Sequence, residues 1–314
     1  MAILVSGSMA YDSIMDFPDS FKNHILPDQI HILNVCFVVD KMRKNFGGCA
    51  GNIAYTMKML GADPIILAPL GSDGNDYKKF LESKGVLTKY IPLSSTKLTS
   101  SASITTDVDH NQVIAYYSGA GDEAIDMSVE NVSEPIEIAL ITPTAKQAMI
   151  KHANECAEKN IPFVFDPSHQ LTAFGDEELR NMIQKAKFYV ANDYEMKLTE
   201  QKTGWSSEEI LNHVEFVIVT LGEKGSFIRS KNELFEIAPC HAFVVADPTG
   251  AGDSYRAGFF TAYVRGMDLE TCGRVGSVAA TYTVEQYGTQ NHVFTLPEFC
   301  ERFEKAYGEK LELK

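Results

Sequence analysis

Short apolar runs alternate along this chain with longer stretches in which apolar positions recur every three or four residues. The runs Ile3–Ser6, Ile65–Pro69, Ile138–Thr142, Phe163–Asp166, Phe188–Ala191 and Phe216–Thr220 are nearly continuous in hydrophobic residues. That is the pattern of strands buried on both faces of a parallel sheet. The periodic stretches predict helices over Gly51–Leu60, Tyr77–Ser83, Thr144–Lys159, Asp176–Ala186, Asp253–Val264 and Leu269–Val284. Glycines and prolines punctuate the joins, as in Gly61-Ala-Asp-Pro64 and Asn160-Ile-Pro162. Strands and helices alternating in this way predict a parallel sheet covered by helices on both sides.

Two regions break the rhythm. From about Ser13 to Phe46 the chain carries a β-rich apolar run, Ile30–Val39, and a basic end with Lys41, Arg43 and Lys44. From Ser100 to Ser118 two strand-like halves flank Asp109-His-Asn111, a hairpin signal. Read alone, both are extra edge strands of one sheet.

Composition narrows the class. At 314 residues and 45% hydrophobic, the chain can form one large α/β domain or two smaller ones. A formal net charge of −14 disfavours nonspecific nucleic-acid binding, yet leaves room for a nucleotide held locally. The six cysteines are scattered without a Cys-x-x-Cys or a close Cys/His pair, and read as reduced thiols rather than a disulfide frame or zinc site. The apolar start Met1–Val5 is short and lacks a basic leader, so it is expected to be a first strand. No apolar run approaches the roughly 20 residues that span a bilayer. The expectation is a cytoplasmic protein with neither membrane nor nucleic acid as partner. The histidines show no metal spacing, and Met57, Met59, Phe259, Phe260 and Tyr263 read as core.

The chemistry concentrates in Asp247-Pro-Thr-Gly-Ala-Gly-Asp253, which follows the strand-like run Ala242–Ala246 and opens a helix. Gly250, Ala251 and Gly252 leave unpaired N–H groups unobstructed at a helix start, where the dipole also favours an anion. Asp253 at the end of that turn is placed to take a proton from a hydroxyl while the N–H groups hold a transferring phosphoryl group. Taken alone, the pattern is equally a tight turn with a carboxylate near a helix N-terminus. It is neither a Walker A loop nor a dinucleotide fingerprint, since no Gly-Lys-Ser/Thr follows and the third glycine is misplaced.

Four segments together resemble the PfkB-type sugar and nucleoside kinases, the family of ribokinase and adenosine kinase. Asp247–Phe260 is similar to the family's C-terminal signature, and Phe46-Gly-Gly-Cys-Ala-Gly-Asn52 with the helix after it is similar to the N-terminal one. Asn192-Asp-Tyr-Glu195 resembles the motif that acts on magnesium and phosphate through water. Thr220-Leu-Gly-Glu-Lys-Gly-Ser226 resembles the strand-turn beside the nucleotide phosphates. All four stand in the family's order across nearly the whole chain.

The resemblance implies a ribokinase-like three-layer α/β/α sandwich with a mainly parallel central sheet and a small β-sheet lid. The lid would comprise residues 13–46 and 100–118, and the kinase core residues 1–12, 47–99 and 119–314. It implies ATP and magnesium as cofactors, with Asp253 as base and Gly250, Ala251 and Gly252 as the anion hole. Asp12, expected at the end of the first strand, would bind a sugar diol, together with Gly47, Gly48 and Asn52. Asn192 and Glu195 would serve the nucleotide, Glu195 ordering hydrated magnesium. Thr220, Gly222 and Gly225 would line the phosphates, and the adenine site is expected around Val275–Ala279 and Tyr287–Asn291. Asp247, Thr249 and the loop near Gly288 could hold a monovalent cation such as potassium. The pattern departs in having Pro248 and Ser254 where many members carry Thr and Ala, which removes no catalytic group. Cys49 stands where ribokinases often carry Lys, which leans away from a ribokinase-type sugar site.

Only Lys41, Arg43 and Lys44 cluster near the lid, so a sugar phosphate lacks the cationic pocket it would need. The long apolar insert after Asp12 suits a planar base, with Phe37, Tyr116 or Tyr117 as stacking partners. The segment Gly7–Gly61 also resembles bacterial PfkB-type adenosine kinases more than ribokinases, and that resemblance implies transfer of the ATP γ-phosphoryl group to the 5′-hydroxyl of adenosine. A broader nucleoside kinase for inosine or guanosine, and a PfkB-type sugar kinase, stand as alternatives. A catalytically silent nucleoside or sugar sensor is a third, against which the retained Asp253 and intact turn speak. Edge strands of a lid could pair between chains, so monomer and homodimer through the lid both stay open.

Overall fold

The computed structural model describes residues 2–32, 34–109 and 111–313. Leu33, inside the apolar run Ile30–Val39, and His110, at the centre of the hairpin signal, lie outside the described residues. The strands are β1 (Ala2–Ser6), β2 (Ala10–Asp16), β3 (Lys41–Gly47), β4 (Asp63–Leu67), β5 (Ser100–Thr106) and β6 (Gln112–Tyr117). They continue with β7 (Ile136–Ile141), β8 (Phe163–Phe165), β9 (Phe188–Asn192), β10 (Phe216–Thr220), β11 (Ser226–Ser230) and β12 (Leu234–Ile237). The helices are α1 (Cys49–Met59), α2 (Asn75–Ser83), α3 (Lys146–Glu158), α4 (Asp176–Lys185) and α5 (Asp193–Thr203), then α6 (Ser207–Ile210), α7 (Ala251–Val264), α8 (Leu269–Val284) and α9 (Leu296–Tyr307).

All six apolar runs are strands of one eight-stranded sheet, ordered β12-β11-β10-β9-β8-β7-β1-β4. Its six strands from β10 to β4 pair in parallel, and β11 and β12 extend it antiparallel. The reason the runs are apolar throughout is that both faces are covered. Ile3, Val5, Ile138, Leu140, Phe188, Val190, Phe216 and Ile218 join one core with Ile53 of α1, Phe259 of α7, Val278 of α8 and Phe303 of α9. Their neighbours Leu4, Ala139, Ile141, Tyr189, Ala191, Val217 and Val219 join the other with Met149 of α3, Ile183 of α4 and Met196 of α5. Side chains of successive strand residues point to opposite faces, so each strand feeds both cores. Each fully buried Ile, Leu or Phe contributes about 1.5–3 kcal/mol. Met57, Phe259 and Phe260 are core as expected, whereas Met59 and Tyr263 are half-buried at its edge.

A second, four-stranded sheet has the order β3-β2-β5-β6, with β2 and β5 parallel and the outer pairs antiparallel. The hairpin signal is realised as β5 and β6. At its tip the Asp107 carboxylate accepts the N–H groups of Asp109 and Asn111 at 3.0 and 2.8 Å.

Three expectations fail. The run Ile30–Val39 supplies no described strand; a 3-10 helix covers Pro27–Ile32, and the ladder begins only at Lys41, opposite Asp16. Phe37 is consumed locally, with ring centroids 5.0 Å from Phe17 and 4.8 Å from Phe21. Asp12 does not end the first strand. It lies in the middle of β2, opposite Asn45 and Ala102. Ala242–Ala246 is not a strand either, and Phe243 and Val245 stand 84% and 68% exposed. The backbone of that segment is tied instead to the end of α8: Ala246 N–H donates to Val284 O and Phe243 N–H to the Glu285 carboxylate.

Candidate active site

The parallel strands β8, β9 and β10 end on one side of the sheet, at Asp166, Asn192 and Thr220. In open α/β sheets that edge is where ligands sit. The N-terminus of α7 points into the same place. Its cap, Gly250, has φ +79, which favours glycine, and a Cβ there would lie 2.8 Å from the Thr289 methyl. Among the described residues, the N–H groups of Gly250, Gly252 and Asp253 make no hydrogen bond, whereas Ala251, expected to offer a free N–H beside them, donates to Pro248 O at 3.3 Å. They are the orphan donors of a helix start, and the dipole adds to them.

Asp253 is the third residue of α7 rather than the end of a preceding turn. Burial raises its carboxyl above the usual carboxylate range, while the charge of Arg256 and hydrogen bonds from Asn52 and Cys49 pull it down. The Asn52 contact is direct: Nδ2 donates to Asp253 Oδ2 at 2.8 Å. Asn52, expected to meet the substrate, therefore meets Asp253 instead. Its other amide atom, Oδ1, accepts from Thr289 Oγ1 at 2.7 Å and from Gln290 Nε2 at 2.9 Å. Gln290 Nε2 also contacts the Tyr77 hydroxyl, which donates to Gly47 O at 2.8 Å. Two donors on Oδ1 set the amide so that its NH2 faces the base.

Asn192 and Glu195 form a capping box at the start of α5. Asn192 Oδ1 accepts from Glu195 N at 2.7 Å, and Glu195 Oε2 accepts from Asn192 N at 2.8 Å. Ser168 Oγ donates to Glu195 Oε1 at 3.1 Å. Both residues line a cavity of about 610 Å³ with Asp166, Cys49, Thr249, Gly250, Asp253 and Arg256. A second cavity of about 780 Å³ is lined by Gly225, Val245, Tyr255, Ser277, Thr281 and Val284 among others. Thr220, Gly222 and Gly252 line both, so the two meet at the head of α7. Of the stretches expected to hold adenine, Val275–Ala279 supplies Ser277 to the larger cavity, whose wall continues instead through Ala280, Thr281 and Val284. Tyr287–Asn291 lines neither cavity; Thr289 and Gln290 serve Asn52.

Asp12 reaches the same centre from the small sheet. Any Cβ on Gly47 would collide with its carboxylate, so Gly47 makes room for it. Burial pushes the Asp12 carboxyl up to about 6, with repulsion from Asp247 and Asp253 adding to the shift. Gly48 has φ +87 and caps α1, with Met9 Cα and Ser8 O both 2.6 Å from where a Cβ would be. Asp247 accepts from Thr249 N at 3.0 Å and from Gly288 N at 3.1 Å, which closes the loop expected to hold a cation. Arg43 is taken up by Asp16 at 2.8 Å, and Lys44 lies 3.7 Å from the Tyr11 ring centroid. Tyr116 and Tyr117 are exposed on the edge strand β6.

Sequence reading did not single out Asp166, Arg256 or Tyr77, and it gave Thr289 and Gln290 to the adenine site rather than to Asn52. Asp166 closes one predicted strand and Arg256 stands inside the quoted C-terminal signature, so both were in view. Gln290 meets Asn52 across 238 positions, and no local pattern announces such a contact.

A family model described as pfkB family carbohydrate kinase matches residues 19–295. The chain belongs to that family. A nucleoside kinase from Methanocaldococcus jannaschii is 34% identical over 274 residues, covering 87% of this chain and 90% of its own. Another from Methanothermobacter thermautotrophicus is 30% identical over 314 residues, covering 98% and 96%. The structure of a Burkholderia thailandensis nucleoside kinase in complex with inosine superposes with a TM-score of 0.90 at 36% identity, covering 98% of this chain and 99% of that one. The fold is accordingly ribokinase-like: the α/β/α core with its mainly parallel sheet, and the small separate sheet, are those of the family.

Proposed function

We propose that the protein is an ATP-dependent nucleoside kinase that phosphorylates the 5′-hydroxyl of purine nucleosides. The observation that carries this is the meeting of Asp253 with the unpaired N–H groups of Gly250 and Gly252 where two cavities join. Relatives named as nucleoside kinases, similar over most of the chain, support the acceptor class. Adenosine is the base expected from the sequence; the inosine bound to the Burkholderia neighbour favours a wider purine range.

In this scheme the larger cavity receives the base and ribose of ATP, and the phosphates run past Thr220 and Gly222 to the head of α7. The nucleoside lies beneath the small sheet, its ribose diol on the Asp12 carboxylate and its base free to stack on Tyr116. Asp253 accepts the 5′-hydroxyl proton as the oxygen bonds to the γ-phosphorus. The bond from that phosphorus to the β–γ bridging oxygen breaks, and its electron pair leaves with ADP. Negative charge on the transferring group is met by the free N–H groups of Gly250 and Gly252. Among the described residues, no three His, Cys, Asp or Glu side chains gather as a metal nest. A cavity with hard oxygen donors at Glu195 fits magnesium held largely by water and phosphate. Bound there, the ion would neutralise phosphate charge. Asp247, Thr249 and the Gly288 loop are proposed to hold a monovalent cation that steadies the turn.

The test is ADP release from Mg-ATP with adenosine, inosine, guanosine, ribose, fructose and fructose 6-phosphate in turn. Turnover on purine nucleosides is expected; preference for a free sugar or a sugar phosphate would overturn the acceptor assignment. No turnover on any of them would favour a silent binding protein.

A further inference from the structure

The ion pair between Asp166 and Arg256 takes no part in the scheme above, yet it is among the most buried charge in the molecule, the two side chains 2% and 7% exposed. Arg256 follows Gly252 by four residues on α7, and helical side chains lean toward the N-terminus, so the guanidinium lies back over the first turn. Gly252 leaves the space for it: a Cβ there would stand 2.7 Å from Nη1. Asp166, just past the end of β8, holds the far edge of the group. It accepts from Nη2 at 2.9 Å and pairs with Nε. Nη1 makes no hydrogen bond among the described residues, and Arg256 lines the cavity shared with Gly250, Gly252, Asp253 and Glu195.

A buried ion pair is a costly way to fill space, since an apolar pair of similar volume packs at least as well. A guanidinium clamped on one edge and open on the other, over the anion-accepting end of a helix, has a different use. We propose that Arg256 is a catalytic residue whose Nη1 contacts the transferring phosphoryl group, and that Asp166 positions it. Gly252 thus serves twice, as an N–H donor and as the gap through which the cation reaches the phosphate. The proposal rests on the kinase reading and adds a charged member to the anion hole.

Three variants test it, Arg256→Met, Arg256→Lys and the double Asp166→Asn/Arg256→Met, each measured for kcat, KM and melting temperature. Arg256→Met is expected to lower kcat by about 10²–10³-fold, the loss typical of one anion-hole donor, with little change in KM for the nucleoside. Arg256→Lys keeps the charge without the two-point grip on Asp166 and recovers part of kcat. The double variant leaves no buried charge unpaired, so its melting temperature returns toward wild type while kcat stays low. Recovery of kcat together with melting temperature would overturn the proposal and leave the pair purely structural. Calorimetry with ATP and ADP separates this from failure of the acceptor assignment. Arg256→Met is expected to weaken ATP more than ADP whether or not the right acceptor has been found. Equal weakening, or none, would overturn the role at the phosphoryl group.

Discussion

Asp253 and Asp12 are carboxylates in the same small space, and the proposed scheme gives each a different task. Asp253 accepts a hydrogen bond from Asn52 and sits beside N–H groups that no carbonyl claims, which supports its proposed use in proton removal. Asp253→Asn keeps the shape and loses the base, and kcat should fall by about 10²–10⁴-fold with ATP binding retained. A coupled assay of ADP release and a nucleotide titration check the two halves. In the proposed scheme Asp12 works by accepting hydrogen bonds, which only its ionised form does fully. Burial first, and then repulsion from Asp247 and Asp253, place its ionisation at about 6. Above that pH the carboxylate is charged and binds; as pH falls through it, the proton blocks one acceptor. The value of kcat/KM for the nucleoside should therefore rise with pH through about 6. In Asp12→Asn that rise should flatten while KM increases about 10–100-fold, the worth of hydrogen bonds to a charged group. A profile unchanged in the variant would mean that Asp12 does not meet the substrate.

At the scale of elements, a single feature often does two jobs, and the sequence displays only one of them. The Asn192/Glu195 pair is a capping box as well as part of the cavity wall. Glu195→Gln separates the two, because Gln also closes a capping box but carries no charge. Its melting temperature should stay close to wild type, while the magnesium concentration for half-maximal rate rises several-fold; an unchanged magnesium requirement would reduce Glu195 to a helix cap. Gly48 is simpler. Held at φ +87 against backbone atoms of Ser8 and Met9, it admits no side chain without moving β2. Gly48→Ala should cost at least the ~1–3 kcal/mol of a residue held in a positive-φ region that only glycine readily adopts, read as a lowered melting temperature. Buried strands such as Phe216–Thr220 were legible because both faces are covered and no polar residue interrupts them. The small sheet was legible only in its hairpin, since β2 and β3 are polar, half-exposed strands with no period to read. The apolar runs Ile30–Val39 and Ala242–Ala246 misled for the opposite reason. They are hydrophobic but find no ladder, and propensity without a partner strand decides little.

The whole molecule is organised by contacts between positions far apart in the chain, and these were out of reach of any local pattern. Gly47, at the end of β3, gives its carbonyl to Tyr77, while Thr289 and Gln290 hold the amide that contacts Asp253. The root of the small sheet and the Asp253 carboxylate thus share one hydrogen-bonded cluster. Outward from that root the sheet thins to β6, an edge strand exposed at every residue, with Tyr116 and Tyr117 on it. An edge of that kind has few buried contacts to hold it and opens readily on its own. In the proposed scheme a nucleoside bound on Asp12 lies beneath β2 and β5 and gives β6 something to pack against. Amide hydrogen exchange along Ser100–Thr106 and Gln112–Tyr117 should slow on adding adenosine or inosine, whereas ATP alone, held on the far side of α7, should leave it unchanged. Slowing by ATP alone would place the nucleotide under the small sheet and reverse the assignment of the two sites. Exchange indifferent to both ligands would mean that the sheet is a fixed wall, and that water is kept from the phosphoryl group by the core itself.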